Sequence, residues 1–186
     1  MQLTNGGICA AKGFTANGIH CGIRKNRTKN DLALIYSEKK ATAAAVYTTN
    51  LVKGAPLTVT KKHISDGYAQ AVICNSGNAN TCNANGIEIA EKMSELTAAQ
   101  LGISPDDIVV ASTGVIGQPL DIKPIADGIP SLVKGLADNN GAAAAEGIMT
   151  TDTIKKEIAV EFMLDGKVCL IGGIAKGSGM IHPNMA

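Results

Sequence analysis

Apolar runs broken by short polar punctuation give this chain a legible order of elements. Rough alternation at 18–24 predicts a first strand, and apolar stretches at 32–36 and 42–48 predict two more, separated by polar turns at 26–31 and 38–40. Residues 55–64 suit a short helix with Pro56 in its first turn, where the missing N–H costs nothing. A strand at 69–74 then runs into a polar loop at 75–86. The helix at 87–101 has the clearest pattern: Ile89, Met93, Leu96 and Leu101 approximate one apolar stripe, with Glu88, Glu91, Lys92 and Glu95 on other faces. Ser104-Pro-Asp-Asp introduces a short strand at 108–111, and its acidic pair reads as a cap or turn. A helix at 121–137 sets Ile122, Ile125, Ile129, Leu132 and Leu136 on one side. Pro124 fits its first turn, and Pro130 should kink it. A third helix covers 142–149, and strands 156–164 and 167–175 form a hairpin about Asp165-Gly166. The order predicts an α/β or α+β layered sandwich of mixed sheets and helices, with 1–186 as a single domain.

Composition narrows this picture. Hydrophobic residues make up 45% of the chain but aromatics only 3%, with no Trp, so the core must be built from Ala, Ile, Val, Leu and Met. Seventeen basic and sixteen acidic residues leave a net charge of +1, which gives no electrostatic reason to expect nucleic acid or an anionic membrane. The apolar runs are too short to span a bilayer and no secretory pattern opens the chain, so a soluble cytoplasmic protein is expected. Five cysteines, an odd number with no C-x-x-C pair, indicate neither a disulfide framework nor a zinc site. Most of them read as small core residues in a reducing compartment.

Polar residues gather at the ends of apolar strands, where sites tend to be built. Asn75-Ser-Gly-Asn-Ala-Asn80 reads first as a tight structural loop, because Asn tolerates left-handed geometry and bonds nearby backbone. In Ser112-Thr-Gly-Val-Ile-Gly117, a hydroxyl beside a glycine N–H can aim two donors at one point, as an oxyanion hole requires, although many ordinary turns also contain Thr-Gly. Lys176, flanked by Gly177 and Gly179, is either a solvated lysine or, if buried, a carboxylate-binding or pKa-shifted group. Its Gly-x-Gly is a poor dinucleotide fingerprint, no P-loop precedes it, and His20, His63 and His182 fall in no nucleophile motif. The last residues carry no polar tail beyond Asn184, which reads either as a short terminus or as the cut end of a longer chain.

Taken together, the chain resembles the ornithine acetyltransferase (glutamate N-acetyltransferase) family of arginine biosynthesis. The matching pieces are Lys12-Gly-Phe14, Asp31-Leu-Ala-Leu-Ile35, the stretch Ala41 to Asn50, the Asn75 and Ser112 loops, Thr150-Thr-Asp-Thr153 and Lys176 to Ala186, in the family's order. Thr81-Cys-Asn-Ala-Asn85 and Ile154-Lys155 depart from its usual pattern. The resemblance implies the α chain of a precursor that cleaves itself after Ala186, with a β chain that begins on the nucleophilic threonine and completes the sheet. It also implies an α2β2 assembly and transfer of acetyl from N2-acetylornithine to glutamate through an acetyl-threonine. By the same resemblance Thr113 and Gly114 match the oxyanion hole, and Thr150 and Lys176 match substrate-binding positions. No cofactor or metal is implied, and acetyl-CoA as a second donor stays open. The alternatives are a self-processing aminopeptidase or amidohydrolase of related fold, or a non-enzymatic binding module.

Overall fold

The computed structural model describes residues 1–25, 28–179 and 181–186, so positions 26 and 27 of the predicted turn and Met180 of the terminal loop lie outside the described residues. Two sheets organise the chain. Strands β2 (Phe14–Ile19), β3 (Leu32–Thr42), β4 (Tyr68–Asn78) and β5 (Ile108–Val115) form one in that order, antiparallel except for the parallel β4–β5 pair. The crossover that parallel pairing demands is supplied by α2 (Gly86–Leu101). Strands β1 (Gln2–Thr4), β6 (Lys156–Leu164) and β7 (Lys167–Ala175) form the other, with β6 between its partners and all pairs antiparallel.

Alternation along β3 divides the core in two. Leu32, Leu34 and Tyr36 face α1 (Ala55–His63), α2 and α3 (Ile122–Lys134), joined by Ile73, Ile108, Val110, Met93, Ile125, Ile129 and Leu132. Ala33 and Ile35 point the other way, toward Cys9, Ala16, Ala144 and Ile174, beneath the short helix α4 (Gly141–Gly147). This second core is built largely of small side chains because backbone approaches closely there: a Cβ on Gly18 would overlap the Ala143 carbonyl. Only Cys9 is fully buried among the cysteines. Cys82 is exposed at a left-handed turn, and all five are free thiols.

Several boundaries differ from the sequence-based expectation, each for a local reason. The strand expected at 18–24 is β2 at Phe14–Ile19, because the buried Asp31 carboxylate takes the N–H groups of Cys21, Gly22 and Arg24 and turns the chain away from the sheet, and β1 is not among the expected strands. The predicted strands 32–36 and 42–48 are one long strand ending at Thr42. A bulge between Tyr36 and Ala41, braced by the Ser37 hydroxyl on the Lys39 carbonyl, absorbs the polar residues expected to turn. Residues 43–47 are not in a strand. The loops predicted from Asn75 and Ser112 begin inside β4 and β5, which stay paired through Gly77 and Gly114. Helix α3 is continuous across Pro130, whose ring faces solvent while Ile125, Ile129 and Leu132 anchor the buried side. In α2 the buried stripe is finished by Ser94, Thr97 and Ala98, leaving Leu96 and Leu101 half-buried. Ser104, rather than Asp106 or Asp107, caps the turn before β5, and Asp107 instead pairs with Lys40 at 2.6 Å.

Candidate active site

The ends of β4 and β5 meet in an unusual backbone arrangement. Thr113 and Gly114 close β5 opposite Ser76 and Gly77, where the register shifts. Gly114 has φ +136°, and a Cβ there would overlap the Gly77–Asn78 peptide. The glycine is therefore obligatory on steric grounds. Behind it, the polar loop acts as a brace. The Asn78 amide donates to the Gln118 and Pro119 carbonyls at 3.0 and 3.3 Å, while its carbonyl accepts from the Asn80 N–H at 2.8 Å. The left-handed Asn80 ties the Gly86 carbonyl at the start of α2 at 2.8 Å. The tight loop expected at 75–80 is thus mostly strand, since 75–78 belong to β4, and its Asn side chains fix β4 against β5 and α2 while Gly77 lines the adjoining cavity.

On the opposite side, the end of β7 delivers Lys176. Its ammonium lies 3.0 Å from Asp152, whose side chain is only 2% exposed. Asp152 gathers four donors: Lys176, Lys156 at 3.0 Å, the Gly177 N–H at 2.6 Å and the Thr150 N–H at 3.1 Å. Burial alone would raise its carboxyl, but these bonds outweigh burial and hold it well below the ordinary carboxylate range. A Cβ on Gly177 would come within 2.7 Å of the carboxylate, which explains that glycine beside the lysine. Lys176 is thus neither a solvated surface lysine nor an unpaired buried one. Asp152 belongs to the motif 150–153 that sequence reasoning singled out, yet its role as the hub could not be assigned without its partners.

These groups converge. Thr113, Gly114, Thr150 and Lys176 all line one cavity of about 870 Å³, together with Arg24, which sequence reasoning had placed in a strand. A second, more apolar cavity of about 440 Å³ lies between the sheets, lined by Ile35, Val72, Cys74 and Ile174, and shares Thr113 and Lys176 with the first. Burial pushes the Cys74 thiol up to about 12, with nearby Lys176 opposing. Ala186 does not line either cavity among the described contacts. It exchanges backbone bonds with Tyr47 at 3.0 and 3.2 Å, and Asn184 bonds Thr49, so the last residues lie along the segment 47–50. None of the three histidines lines either cavity: His63 bonds the Ile108 carbonyl beneath the sheet, His20 lies beside Asp31, and the His182 carbonyl accepts from the Asn50 amide. Among the described residues no group of three or more His, Cys, Asp and Glu side chains could hold a metal, and no helix is long and apolar enough to cross a membrane.

Comparison with known proteins gives a consistent picture. The model of the ArgJ family matches residues 15–186. The chain is 48% identical to the arginine biosynthesis bifunctional protein ArgJ of Caldanaerobacter subterraneus subsp. tengcongensis, covering 100% of this chain and 46% of that protein. It is 49% identical to the protein of the same name from Gloeobacter violaceus, covering 98% of this chain and 45% of that one. The chain thus spans about half the length of the curated relatives it matches. Among solved structures, the ArgJ protein of Bacillus halodurans superposes with a TM-score of 0.91 at 43% identity, over 97% of this chain and 95% of that chain. Ornithine acetyltransferase from Mycobacterium tuberculosis, solved with ornithine, superposes with a TM-score of 0.90 at 34% identity, over 100% of this chain and 99% of that chain.

Proposed function

The chain belongs to the ArgJ family, and from that premise we propose that it is the α chain of an acetyltransferase of arginine biosynthesis, one that moves an acetyl group from N2-acetylornithine to glutamate. The observation that carries this reading is the convergence of Thr113 and Gly114 with Thr150 and Lys176 on one cavity. The nucleophile is a threonine that begins a companion chain of the same precursor. Its hydroxyl attacks the Ala186 carbonyl, the peptide nitrogen leaves as a free α-amine, and water hydrolyses the resulting ester. With an ordinary pKa of about 7.7–8.0, that amine can take the hydroxyl proton near neutral pH. The hydroxyl oxygen then attacks the acetyl carbonyl of the donor, ornithine departs with its nitrogen protonated, and the glutamate amine collects the acetyl group in a second attack.

In this scheme the Thr113 hydroxyl and the Gly114 N–H donate to the oxyanion of each tetrahedral intermediate. Thr150 and Lys176 hold the amino-acid substrate, Lys176 through its carboxylate or by lowering the pKa of the companion's amine. Asp152 fixes the lysine's position from behind. A companion is supported by the relative lengths and by one exposed apolar face. Ile158, Val160, Phe162 and Ile171 of β6 and β7 share that face with Leu3, and three of the five are more than half exposed. We assign the pair to an α2β2 assembly in the cytoplasm and no bound cofactor. Acetyl-CoA enters as a second donor, in keeping with the bifunctional names of the relatives.

The test uses the full-length gene product. Intact mass should give two co-purifying fragments, the second beginning with Thr, and acetyl should pass to glutamate from acetylornithine and, offered separately, from acetyl-CoA. Thr113→Ala should lower turnover by about 10²–10³ with the fold unchanged. An uncut chain, or donor hydrolysis without transfer, would overturn the reading.

A further inference from the structure

One charged group in the cavity wall has no place in the scheme above. Arg24, a half-buried residue, lines the large cavity with Thr113, Gly114 and Lys176, and its Nη2 is buried with no hydrogen-bond partner among the described residues. A guanidinium cannot shed its charge, and leaving one of its buried donors unpaired is costly, so an anion in the cavity would satisfy it. The arginine is also held in place. Its backbone N–H donates to the fully buried Asp31 at 2.9 Å, and Asp31 takes the N–H groups of Cys21 and Gly22 as well. Its stem crosses β4 at Gly77, where an added Cβ would come within 2.9 Å of the Arg24 Cγ and where φ is +112°. Gly77 pairs with Gly114. The arginine therefore passes beside the oxyanion position from the β4 side, whereas Lys176 arrives from β7.

No acidic residue lines the cavity among the described residues. Asp152 sits behind Lys176 with four donors of its own and has no bond to Arg24. Two cations on separate elements thus face a space without a carboxylate. Donor and acceptor of the proposed transfer differ in one respect that matters here. Both carry an α-carboxylate, but the donor side chain ends in an ammonium and the acceptor side chain in a second carboxylate. Lys176 suits the group they share. We propose that Arg24 reads the side-chain carboxylate of the acceptor through its planar fork, and so sets acceptor specificity. This assignment rests on the acetyl-transfer reading.

Isotope exchange separates the two halves of the reaction in the processed full-length enzyme. Exchange between acetylornithine and labelled ornithine reports the donor half, and exchange between acetylglutamate and labelled glutamate reports the acceptor half. Arg24→Gln should lower the ratio of acceptor to donor exchange by about 10–100-fold, the loss of a charged hydrogen-bonded pair, mainly through the KM for glutamate. Arg24→Lys, which keeps the charge without the fork, should fall between, and the preference for glutamate over glutamine should shrink in both. A ratio that stays within about twofold of wild type would overturn the proposal, since Arg24 would then serve the shared carboxylate or an acid of the companion chain. If wild-type enzyme catalyses neither exchange, the acetyl-transfer reading fails instead.

Discussion

In the four-stranded sheet Leu32, Leu34, Ile73 and Ile108 are withdrawn completely from solvent, whereas in the three-stranded sheet Leu3, Ile158 and Ile171 stand 74%, 56% and 54% exposed on one face. The first sheet is covered by α1, α2 and α3 on one side and by α4 on part of the other. The second is covered on one side only, where Gly172 packs against the backbone of Gly7 and Ile8 and Ala159 is buried. A sheet with a single apolar face can leave its polar face to water, but a hydrophobic outer face is a surface made for something else. The site lies at the junction of the two, with Thr113 and Gly114 from the finished layer and Lys176 from the unfinished one. Its geometry therefore depends on how firmly the second sheet is held.

The sharpest way to break this contrast is Ile171→Glu in the full-length gene. If the companion covers the outer face, an uncompensated charge buried there costs about 3–5 kcal/mol, and the two fragments should no longer co-purify. Unchanged co-purification and melting temperature would show that face to be free. Leu34→Ala, in the finished layer, should cost about 2–5 kcal/mol in urea unfolding of the full-length gene product, and any companion fragment should stay attached. Loss of the companion in that variant would erase the distinction between the layers.

Asp152→Asn probes the seam, and it should cost less. About 1–3 kcal/mol is expected, below the figure for a fully buried pair, because Lys156 and Lys176 keep some solvent contact. The effect should depend on pH. The native Asp152 carboxyl is held below its ordinary 3.8, so its contribution is complete above that value and drains away as pH falls toward the depressed native one. The stability gap between wild type and variant should thus narrow below about pH 4. A gap constant from pH 7 to acid would remove the charge from the explanation.

What the sequence made legible follows the range of the interactions. The hairpin bounds agree with expectation at both ends because Asp165 and Gly166 dictate the turn locally, both at positive φ. Helix α2 ends where expected, because the left-handed Gly102 caps it there, and it starts one residue earlier than expected. By contrast β1 is three residues whose only reason to be a strand is β6, far along the chain. The ends of β4 and β5 hold Asn, Ser and Gly that read as loop, and only their pairing with each other keeps them extended. In the site, Thr113, Gly114, Thr150 and Lys176 could be singled out as chemistry in the sequence. Asp152 and Arg24 gain their meaning from partners, or from the lack of one, and no local pattern announces that.

The smallest expected effect is an absence of reaction at two thiols of the four-stranded layer, Cys21 packed on its helix-covered core and Cys74 facing the second sheet. Cys74 lines the cavity between the sheets, and burial pushes its thiol up to about 12. Cys21, at the turn held by Asp31, is pushed to about 12 by burial first and then by that carboxylate. Because the thiolate is the reactive form, either group is far less available at pH 8 than an ordinary cysteine. In the full-length gene product neither should react with iodoacetamide until urea unfolds the protein. Both should then become labelled along the same transition that exposes Leu34, since each is held by the four-stranded layer. If Cys74 is labelled at lower urea than Cys21, the cavity between the sheets opens before the core melts. That result would make the second sheet a separately moving lid on the first, and it would weaken any account in which Lys176 and Thr113 are rigidly opposed.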